Sequence, residues 1–279
     1  MNKDIETISP PGVNNLTIKV VYDNNPYKGS QRPYSSAGVA QQELGTAWGF
    51  SAFITGTDPQ PRLATEVAGA WKNILFDTGG DGSLLLSNMK KLAIEPNRID
   101  VVVLSHIHGD HSGGLASFLQ KNQKTEVFLP EAFPKKFKDS LQQYQAKVIE
   151  VQQPLKICEN VYSAGQFGKW IKEQSLIIRT KSGLVVIIGC AHPGIVKMVS
   201  MAKDLIKDDI LLVMGGFHLE WATKAKIEKI ISAFKQLGVQ YVGPCHCTGE
   251  KARHLFENHF GKNYINIGVG KVITLADLQ

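Results

Sequence analysis

The sequence predicts an α/β protein in which two β-sheets are covered by helices. Short β-branched segments bounded by turn residues recur along all 279 residues, which is typical of strands. Amphipathic segments with helical spacing lie between many of them, and 175–190 has the pattern of a hairpin that turns at Lys181-Ser182-Gly183. This alternation, which shows no repeat of fixed period, predicts one continuous domain over residues 1–279 with two halves.

Strands and helices follow one another in the predicted order. We expect strands at 16–23, 49–56, 73–79, 100–106, 125–130, 147–151, 160–165, 175–190 (as the hairpin), 210–216, 240–245 and 263–275. Between them, 222–237 has apolar side chains at helical spacing and ends at Gly238, and 112–119 begins with a capping serine. Pro193 and Thr248 mark two further helix starts, because proline favours the first turn and threonine can cap a helix.

Two irregular stretches, 24–47 and 57–73, interrupt this pattern. Long irregular loops inside compact domains are usually functional or disordered. We therefore interpret 24–47 as a lid over the substrate, with a disordered segment as the alternative, and we favour the lid less for 57–73.

Composition narrows the classes of partner. The net charge is +6 and the pI is about 9.0, but the lysines are scattered, so solvated helix faces are the first interpretation and a preference for small anionic substrates is the second. Because the lysines do not form one stripe, we expect no nucleic-acid partner. We also expect no membrane partner, because no apolar run approaches the roughly 18 to 20 residues of a bilayer span. The polar N-terminus shows no secretory signal, and four cysteines without a C-x-x-C pair favour a reducing compartment, so a cytoplasmic location is expected.

The segment "LSHIHGDHSGG" (104–114) carries the strongest functional signal, because it gathers three of the eight histidines around Asp110. It follows a predicted strand at the turn into a helix, where open α/β proteins build their sites. His106 and His108 are two residues apart, so in an extended segment their rings point the same way and suit one tetrahedral ion. Asp110 and His111 lie on the next turn and can contact a second ion. Nitrogen and carboxylate ligands are typical of catalytic zinc or a similar first-row metal.

These residues resemble a known family. "SHIHGDHSGG" resembles the H-x-H-x-D-H signature of the metallo-β-lactamase superfamily, and "LFDTGG" (75–80) resembles its upstream aspartate motif. The resemblance implies an αβ/βα four-layer sandwich with two mixed sheets, a site along one edge between the sheets, and a buried Asp77 that supports the metal loop. Three segments further resemble the subgroup that includes the archaeal dihydropterin ribofuranosyl-aminobenzene 5′-phosphate synthase: "GCAHPGI" (189–195), "GGFHL" (215–219) and "PCHCTG" (244–249).

The resemblance also implies the ligand set. His106 and His108 would hold the first metal, Asp110 and His111 the second, and His246 would close the second site. The chain departs from the superfamily pattern in two places. The usual third histidine is absent from 163–170, so we expect His192 to replace it. Cys190 stands where a bridging aspartate is usual; it either binds or bridges metal, or is a small buried strand-end residue.

Other candidate residues surround this set. His218 is predicted to act in the site as a proton donor, a substrate contact or a support for a ligand, with a structural role as the alternative. Cys245 and Cys247 flank His246 and are expected to face the core, since neighbours in an extended segment point away from each other. His254 and His259 are expected on the surface of the last helix. The sequence does not decide the roles of Asp23 and Asn24.

The chemistry that this resemblance implies is that of a metal-dependent enzyme. We expect two divalent ions, with zinc ahead of iron and manganese and with weaker binding of the second ion because the bridging carboxylate is missing. Bound water then becomes a nucleophile near neutral pH, Asp110 orients it, and His218 stabilises the intermediate or protonates the leaving group.

Two reactions are compatible with this picture. The subgroup implies action on an anionic, phosphorylated, pterin-like small molecule whose leaving group the metal activates. The simpler alternative is hydrolysis of an ester, a lactone or a phosphodiester. A nuclease, a di-iron electron-transfer protein and a non-catalytic metal-binding protein are the other classes considered, and the sequence does not indicate the oligomeric state.

Overall fold

The computed structural model describes residues 12–27, 43–57 and 71–279. Its strands are β1 (Asn15–Asp23), β2 (Phe50–Thr57), β3 (Ile74–Phe76), β4 (Val101–Val103), β5 (Glu126–Pro130), β6 (Lys147–Val151), β7 (Leu155–Cys158), β8 (Val161–Ser163), β9 (Leu176–Thr180), β10 (Gly183–Ile188), β11 (Ile210–Gly216), β12 (Tyr241–Cys245) and β13 (Val272–Thr274). The helices are α1 (Gly82–Lys91), α2 (Gly109–Ser112), α3 (Leu115–Leu119), α4 (Lys135–Leu141), α5 (Ile195–Ile206), α6 (Lys224–Gln236) and α7 (Glu250–Phe260).

The strands form two mixed sheets. The first has seven strands in the order β13-β1-β2-β3-β4-β5-β6, antiparallel up to β3 and parallel from β3 to β6. The second has six strands in the order β12-β11-β10-β9-β8-β7, and β10, β11 and β12 are parallel to one another. The predicted hairpin is confirmed as the antiparallel pair β9 and β10.

The two sheets are sandwiched between helices. Along β4, Val101 and Val103 face the core between the sheets, whereas Val102 packs under α1 and α3. Along β10, Val185 faces the same central core, whereas Val186 packs under α5, α6 and α7. Because alternate residues of a strand point to opposite faces, a strand that is apolar throughout must be covered on both sides. The resulting order of helix, sheet, sheet and helix confirms the predicted fold class.

Several predicted boundaries need correction. Only Val272–Thr274 of the predicted strand 263–275 is a strand. The preceding loop instead lies against the chain after β1, where a side chain at Gly268 would meet the backbone of Pro26 at 2.6 Å. α5 begins at Ile195 rather than Pro193, since Gly194 adopts a φ of 104° that does not belong to a helix.

Some elements were not predicted, and two predicted segments are only partly described. α1, which the side chain of Asp81 caps, and β7 were missed from the sequence. The predicted lid 24–47 and the stretch 57–73 fall largely on 28–42 and 58–70, which lie outside the described residues. No helix in the described ranges is both long enough and apolar enough to cross a bilayer.

The strands that matter for function end at one edge of the sandwich. In the first sheet, β3 leads into Asp77 and β4 leads into the histidine segment. In the second sheet, β10, β11 and β12 lead into the segments that carry His192, His218 and His246. Carboxyl ends of parallel strands meet at one edge of a sheet, so both sheets deliver their polar segments to the same place.

Candidate metal centre

Three histidines form the first cluster of candidate ligands. His106 Nε2 lies 3.1 Å from His108 Nδ1 and 3.2 Å from His192 Nε2. Nitrogen ligands of a tetrahedral zinc ion, each at about 2.0–2.1 Å from the metal, lie about 3.4 Å from one another. The three atoms therefore have the spacing that a single ion needs, and the structure brings His192 next to His106 and His108.

This first triad is held in the neutral state. Burial lowers the pKa of His192 to about 4, and the neighbouring histidines His218 and His108 add to this effect. Burial and the surrounding histidines also lower the pKa of His106 well below its ordinary value. Metal binding requires deprotonated imidazole, so at neutral pH no proton has to leave these rings before a cation binds.

A second triad lies beside the first and contains the carboxylate. His111 Nε2 lies 3.2 Å from His246 Nε2, which lies 3.3 Å from Asp110 Oδ2. Burial opposes ionisation of Asp110, but the hydrogen bond to His246 and the nearby His111 outweigh it and lower the pKa of Asp110 overall. The triad thus offers two imidazole nitrogens and one carboxylate oxygen, a ligand set typical of zinc and similar metals.

Asp77 supports both triads from beneath. Its Oδ1 accepts a hydrogen bond from the Ser105 backbone N–H at 2.6 Å, and its Oδ2 accepts one from the Ser105 hydroxyl at 2.7 Å. Oδ2 also lies 2.7 Å from His111 Nδ1, while the Ser105 hydroxyl lies 2.9 Å from His106 Nδ1. These bonds place the protons on Nδ1 and leave Nε2 of both rings free for metal. Asp77 itself is fully buried, as the resemblance implied.

Glu173 is a functional candidate that the sequence analysis missed. Its carboxylate is fully buried and accepts hydrogen bonds from the backbone N–H groups of Cys190 (2.8 Å), Ala191 (2.9 Å) and His192 (2.8 Å). Burial raises the pKa of Glu173, although these three donors act in the opposite direction. The Glu173 side chain therefore holds the turn that positions His192. Because it contacts only backbone groups, no sequence motif marks it as a functional residue.

His246 is oriented by a residue whose role the sequence left undecided. His246 Nδ1 lies 3.1 Å from Asn24 Oδ1, and the Asn24 amide donates back to the His246 backbone oxygen at 3.3 Å. This contact keeps Nε2 of His246 directed at the second triad. The ring of Trp48 lies 5.0 Å from that of His246 and is 47% exposed, so an aromatic face borders the centre.

Cys190 lies where the two triads meet. Its Sγ is 3.2 Å from His111 Nε2, and His106, His111 and Cys190 form a further group whose ligand atoms all lie within 4.8 Å of one another. Sulfur is a strong ligand for zinc, so this thiol has the position and the chemistry of a bridging ligand. Cys190 is also buried, so both predicted roles, a metal ligand and a small buried strand-end residue, stay predictions.

The prediction for Cys247 is wrong. Its Sγ lies 3.2 Å from Cys190 Sγ, in the centre and not in the core. The alternation rule fails because His246–Thr248 is a 3-10 turn, not an extended segment. Cys245 does lie in the core between the sheets, as predicted. His254 and His259 are exposed on α7, also as predicted.

The structure brings together the whole set that the sequence analysis proposed. Every predicted ligand lies in one of the groups described above, and His218 joins them because its ring lies 4.6 Å from that of His192. His218 is exposed and has a backbone φ of 53°. The donor types and their spacing fit divalent first-row metal ions, whereas the role of each residue in binding or catalysis stays a prediction.

Comparisons with known proteins are consistent with this centre. The sequence model of the metallo-beta-lactamase superfamily matches residues 57–195. The chain is 30% identical over 259 residues to the 7,8-dihydropterin-6-methyl-4-(beta-D-ribofuranosyl)-aminobenzene-5'-phosphate synthase of Methanocaldococcus jannaschii, covering 76% of this chain and 87% of that protein. It is 27% identical over 289 residues to an uncharacterized protein of the same organism, covering 92% and 99%.

A solved structure also matches over most of its length. It is described as a metal-dependent hydrolase of the beta-lactamase superfamily and is 27% identical to this chain. The TM-score is 0.68, and the match covers 92% of this chain and 98% of the other. The match therefore extends beyond the segment 57–195 that the superfamily model covers.

Proposed function

Because the chain belongs to the metallo-β-lactamase superfamily, we propose that it is a metal-dependent enzyme that acts on an anionic, phosphorylated, pterin-like small molecule. One observation carries the proposal: two triads with the ligand types and the spacing of metal sites lie side by side where both sheets end. The substrate part rests on the relative from M. jannaschii, whose name specifies a dihydropterin and a phosphate.

The two triads have separate ligands. His106, His108 and His192 would hold one ion, and Asp110, His111 and His246 would hold the other, with Cys190 between them. We propose zinc for both positions because of this nitrogen, oxygen and sulfur donor set. Divalent ions held by these residues would supply Lewis-acid chemistry, since they would lower the pKa of a water molecule and polarise a phosphoryl or carbonyl oxygen.

The chain itself supplies orientation and proton transfer. Asp110 is partly exposed, so its second oxygen can accept a hydrogen bond from the attacking group while Oδ2 faces the second triad. A hydrogen bond with Cys247 raises the pKa of His218 although burial opposes this, so the ring holds a proton nearer to neutral pH. His218 is therefore suited to protonate a leaving group.

Trp48 supports the choice of a planar substrate. Its ring is 47% exposed and stands 5.0 Å from the ring of His246, so a flat heterocycle can stack on it within reach of the triads. The net charge of +6 favours an anion. We propose a small molecule of this kind, and neither a nucleic acid nor a membrane, as the binding partner, and we propose that one domain carries the whole site.

The test is diphosphate release from a dihydropterin diphosphate, measured with and without an aminobenzene ribofuranosyl phosphate as acceptor. Release that depends on the acceptor and vanishes in His108→Ala is the expected result, and it identifies a transferase; release without acceptor identifies a hydrolase. His254→Ala, which alters an exposed histidine on α7, is the matched control and should keep full activity. Absence of any release from metal-loaded protein would refute the proposed substrate.

Hydrolysis of a simple ester, lactone or phosphodiester is the second candidate. It is favoured by the 27% identical solved structure, which is described as a metal-dependent hydrolase. Chromogenic esters and phosphodiesters assayed under the same conditions separate the two, because the dihydropterin proposal expects them to turn over far more slowly than the diphosphate.

A further inference from the structure

A third group of ligand atoms lies beside the two triads and contains both sulfur atoms of the centre. Cys190 Sγ and Cys247 Sγ are 3.2 Å apart, and these atoms and a ring nitrogen of His218 all lie within 4.8 Å of one another. Two thiolates on one tetrahedral zinc ion, each at about 2.3 Å, would lie about 3.8 Å apart. A small outward shift of either sulfur therefore turns this group into the ligand set of a cation.

The backbone is built to bring these side chains together. The Leu219 N–H donates to the Cys247 carbonyl at 3.2 Å, and the Phe217 N–H donates to the Thr248 hydroxyl at 3.0 Å, so the segments after β11 and β12 are tied together. A Cβ atom at Gly216 would meet Cys247 Sγ at 2.7 Å, so the thiol fits only because this residue is glycine.

The group is also open to solvent on one side. Cys190 and Cys247 are 4% and 6% exposed, whereas His218 is exposed. A cation can therefore enter past the imidazole and meet two sulfur atoms that are screened from bulk water. Neither His218 nor Cys247 belongs to the two triads, so this group has ligands of its own and shares only Cys190 with the neighbouring group of His106 and His111.

We propose that Cys190, His218 and Cys247 form a third cation position that takes a thiophilic divalent ion such as zinc or cadmium. On binding, the two sulfur–hydrogen bonds break, both protons pass to solvent, and two sulfur–metal bonds form without any change in oxidation state. The fourth ligand is water or a substrate atom. Sulfur ligands favour this ion over magnesium or calcium, which prefer oxygen.

One consequence links this position to the reaction and rests on the proposed function. A cation bound to His218 occupies the nitrogen that would carry the transferred proton. The third ion and proton donation by His218 therefore exclude each other, and an excess of a thiophilic cation inhibits the enzyme.

The test is a cadmium titration of the full chain in the presence of a phosphine reductant. Two quantities are measured: the thiolate-to-cadmium absorption in the ultraviolet and the number of ions retained after dialysis. The wild type should retain three equivalents. Cys247→Ser should retain two and lose the part of the absorption that appears with the third equivalent. His218→Ala, which changes an exposed side chain and leaves the core intact, should bind the third ion about tenfold more weakly or worse. Cys158→Ser changes a buried thiol of the core between the sheets and serves as the matched control that should leave both signals unchanged.

Two results would overturn the proposal. One is saturation of the wild type at two equivalents, and the other is an unchanged ion count and absorption in both Cys247→Ser and His218→Ala. Thermal unfolding of each variant verifies that it is folded. Because cadmium binding is read without any substrate, failure here is distinct from failure of the proposed reaction, which diphosphate release tests separately.

Discussion

Replacement of Glu173 by glutamine is the most informative single perturbation of the centre. Glu173 Oε1 accepts the N–H groups of Cys190 and Ala191, and Oε2 accepts that of His192. Glutamine keeps one acceptor oxygen, which can serve the first two donors. Its amide NH₂ then faces the His192 N–H, so that one donor meets another donor in a fully buried position.

The expected magnitude follows from these contacts. A hydrogen bond to a charged group contributes about 1.5–3 kcal/mol, and the loss of this one leaves a buried donor unpaired. Burial raises the pKa of Glu173, which means that the ionised form is disfavoured there, so removal of the charge offsets part of the loss. We expect the free energy of unfolding of the metal-free protein to fall by about 1–2 kcal/mol. His192 should also shift, and the first triad should bind metal about 10–100-fold more weakly.

Denaturant unfolding of the metal-free protein and competition with a chromogenic chelator measure the two effects. Glu159→Gln is the matched control, because Glu159 is also largely buried but bonds to Lys156 in the turn after β7. That variant should keep the metal affinity of the wild type. If Glu173→Gln also binds both ions with unchanged affinity, Glu173 does not position His192 and the reasoning fails.

Three further predictions follow from the same contacts. Asp77→Asn should place an amide N–H against His111 Nδ1 and move the ring proton to Nε2. The protonated Nε2 can then no longer bind metal, so the number of bound ions should fall by the ion of the second triad. Circular dichroism should show that the fold persists. His106→Ala should retain little metal but unfold as cooperatively as the wild type, because the hydrophobic cores on both faces of each sheet do not contain this residue. Loss of cooperative unfolding in this variant would mean that the metals are structural. Burial lowers the pKa of His192 to about 4, whereas an unfolded histidine titrates near 6.5, so the unfolded chain binds more protons between these values. Denaturant unfolding of the metal-free protein should therefore show a free energy of unfolding that falls as the pH is lowered from about 6.5 towards 4, and a rise over that range would contradict the burial of this ring.

The candidate ligands could be predicted from the sequence because they directly follow strands. His106 and His108 stand two residues apart just after β4, and His192 and His246 each come shortly after a strand of the second sheet. Once the strands are recognised, the parallel arrangement of their carboxyl ends brings these side chains together. The alternation of strand-like and helical segments predicted two sheets covered by helices, whereas the mixed character of the sheets was implied by the resemblance to the superfamily.

The residues that orient the candidate ligands could not be predicted in this way. Glu173 acts through three backbone donors that are distant in sequence, and Asn24 acts across 222 positions on His246. Neither contact is marked by a pattern of neighbouring residues in the sequence. Cys247 was misplaced because a 3-10 turn at His246–Thr248 breaks the alternation of an extended segment.

We propose that two ions lie side by side at the common edge of the two sheets. Anomalous diffraction at the absorption edge of the metal, on crystals grown without chelator, tests it most directly. We expect one peak at about 2.0–2.1 Å from the candidate ligand nitrogens of His106, His108 and His192, and a second at the same distance from those of His111 and His246. The absence of a peak from either triad would refute the proposal.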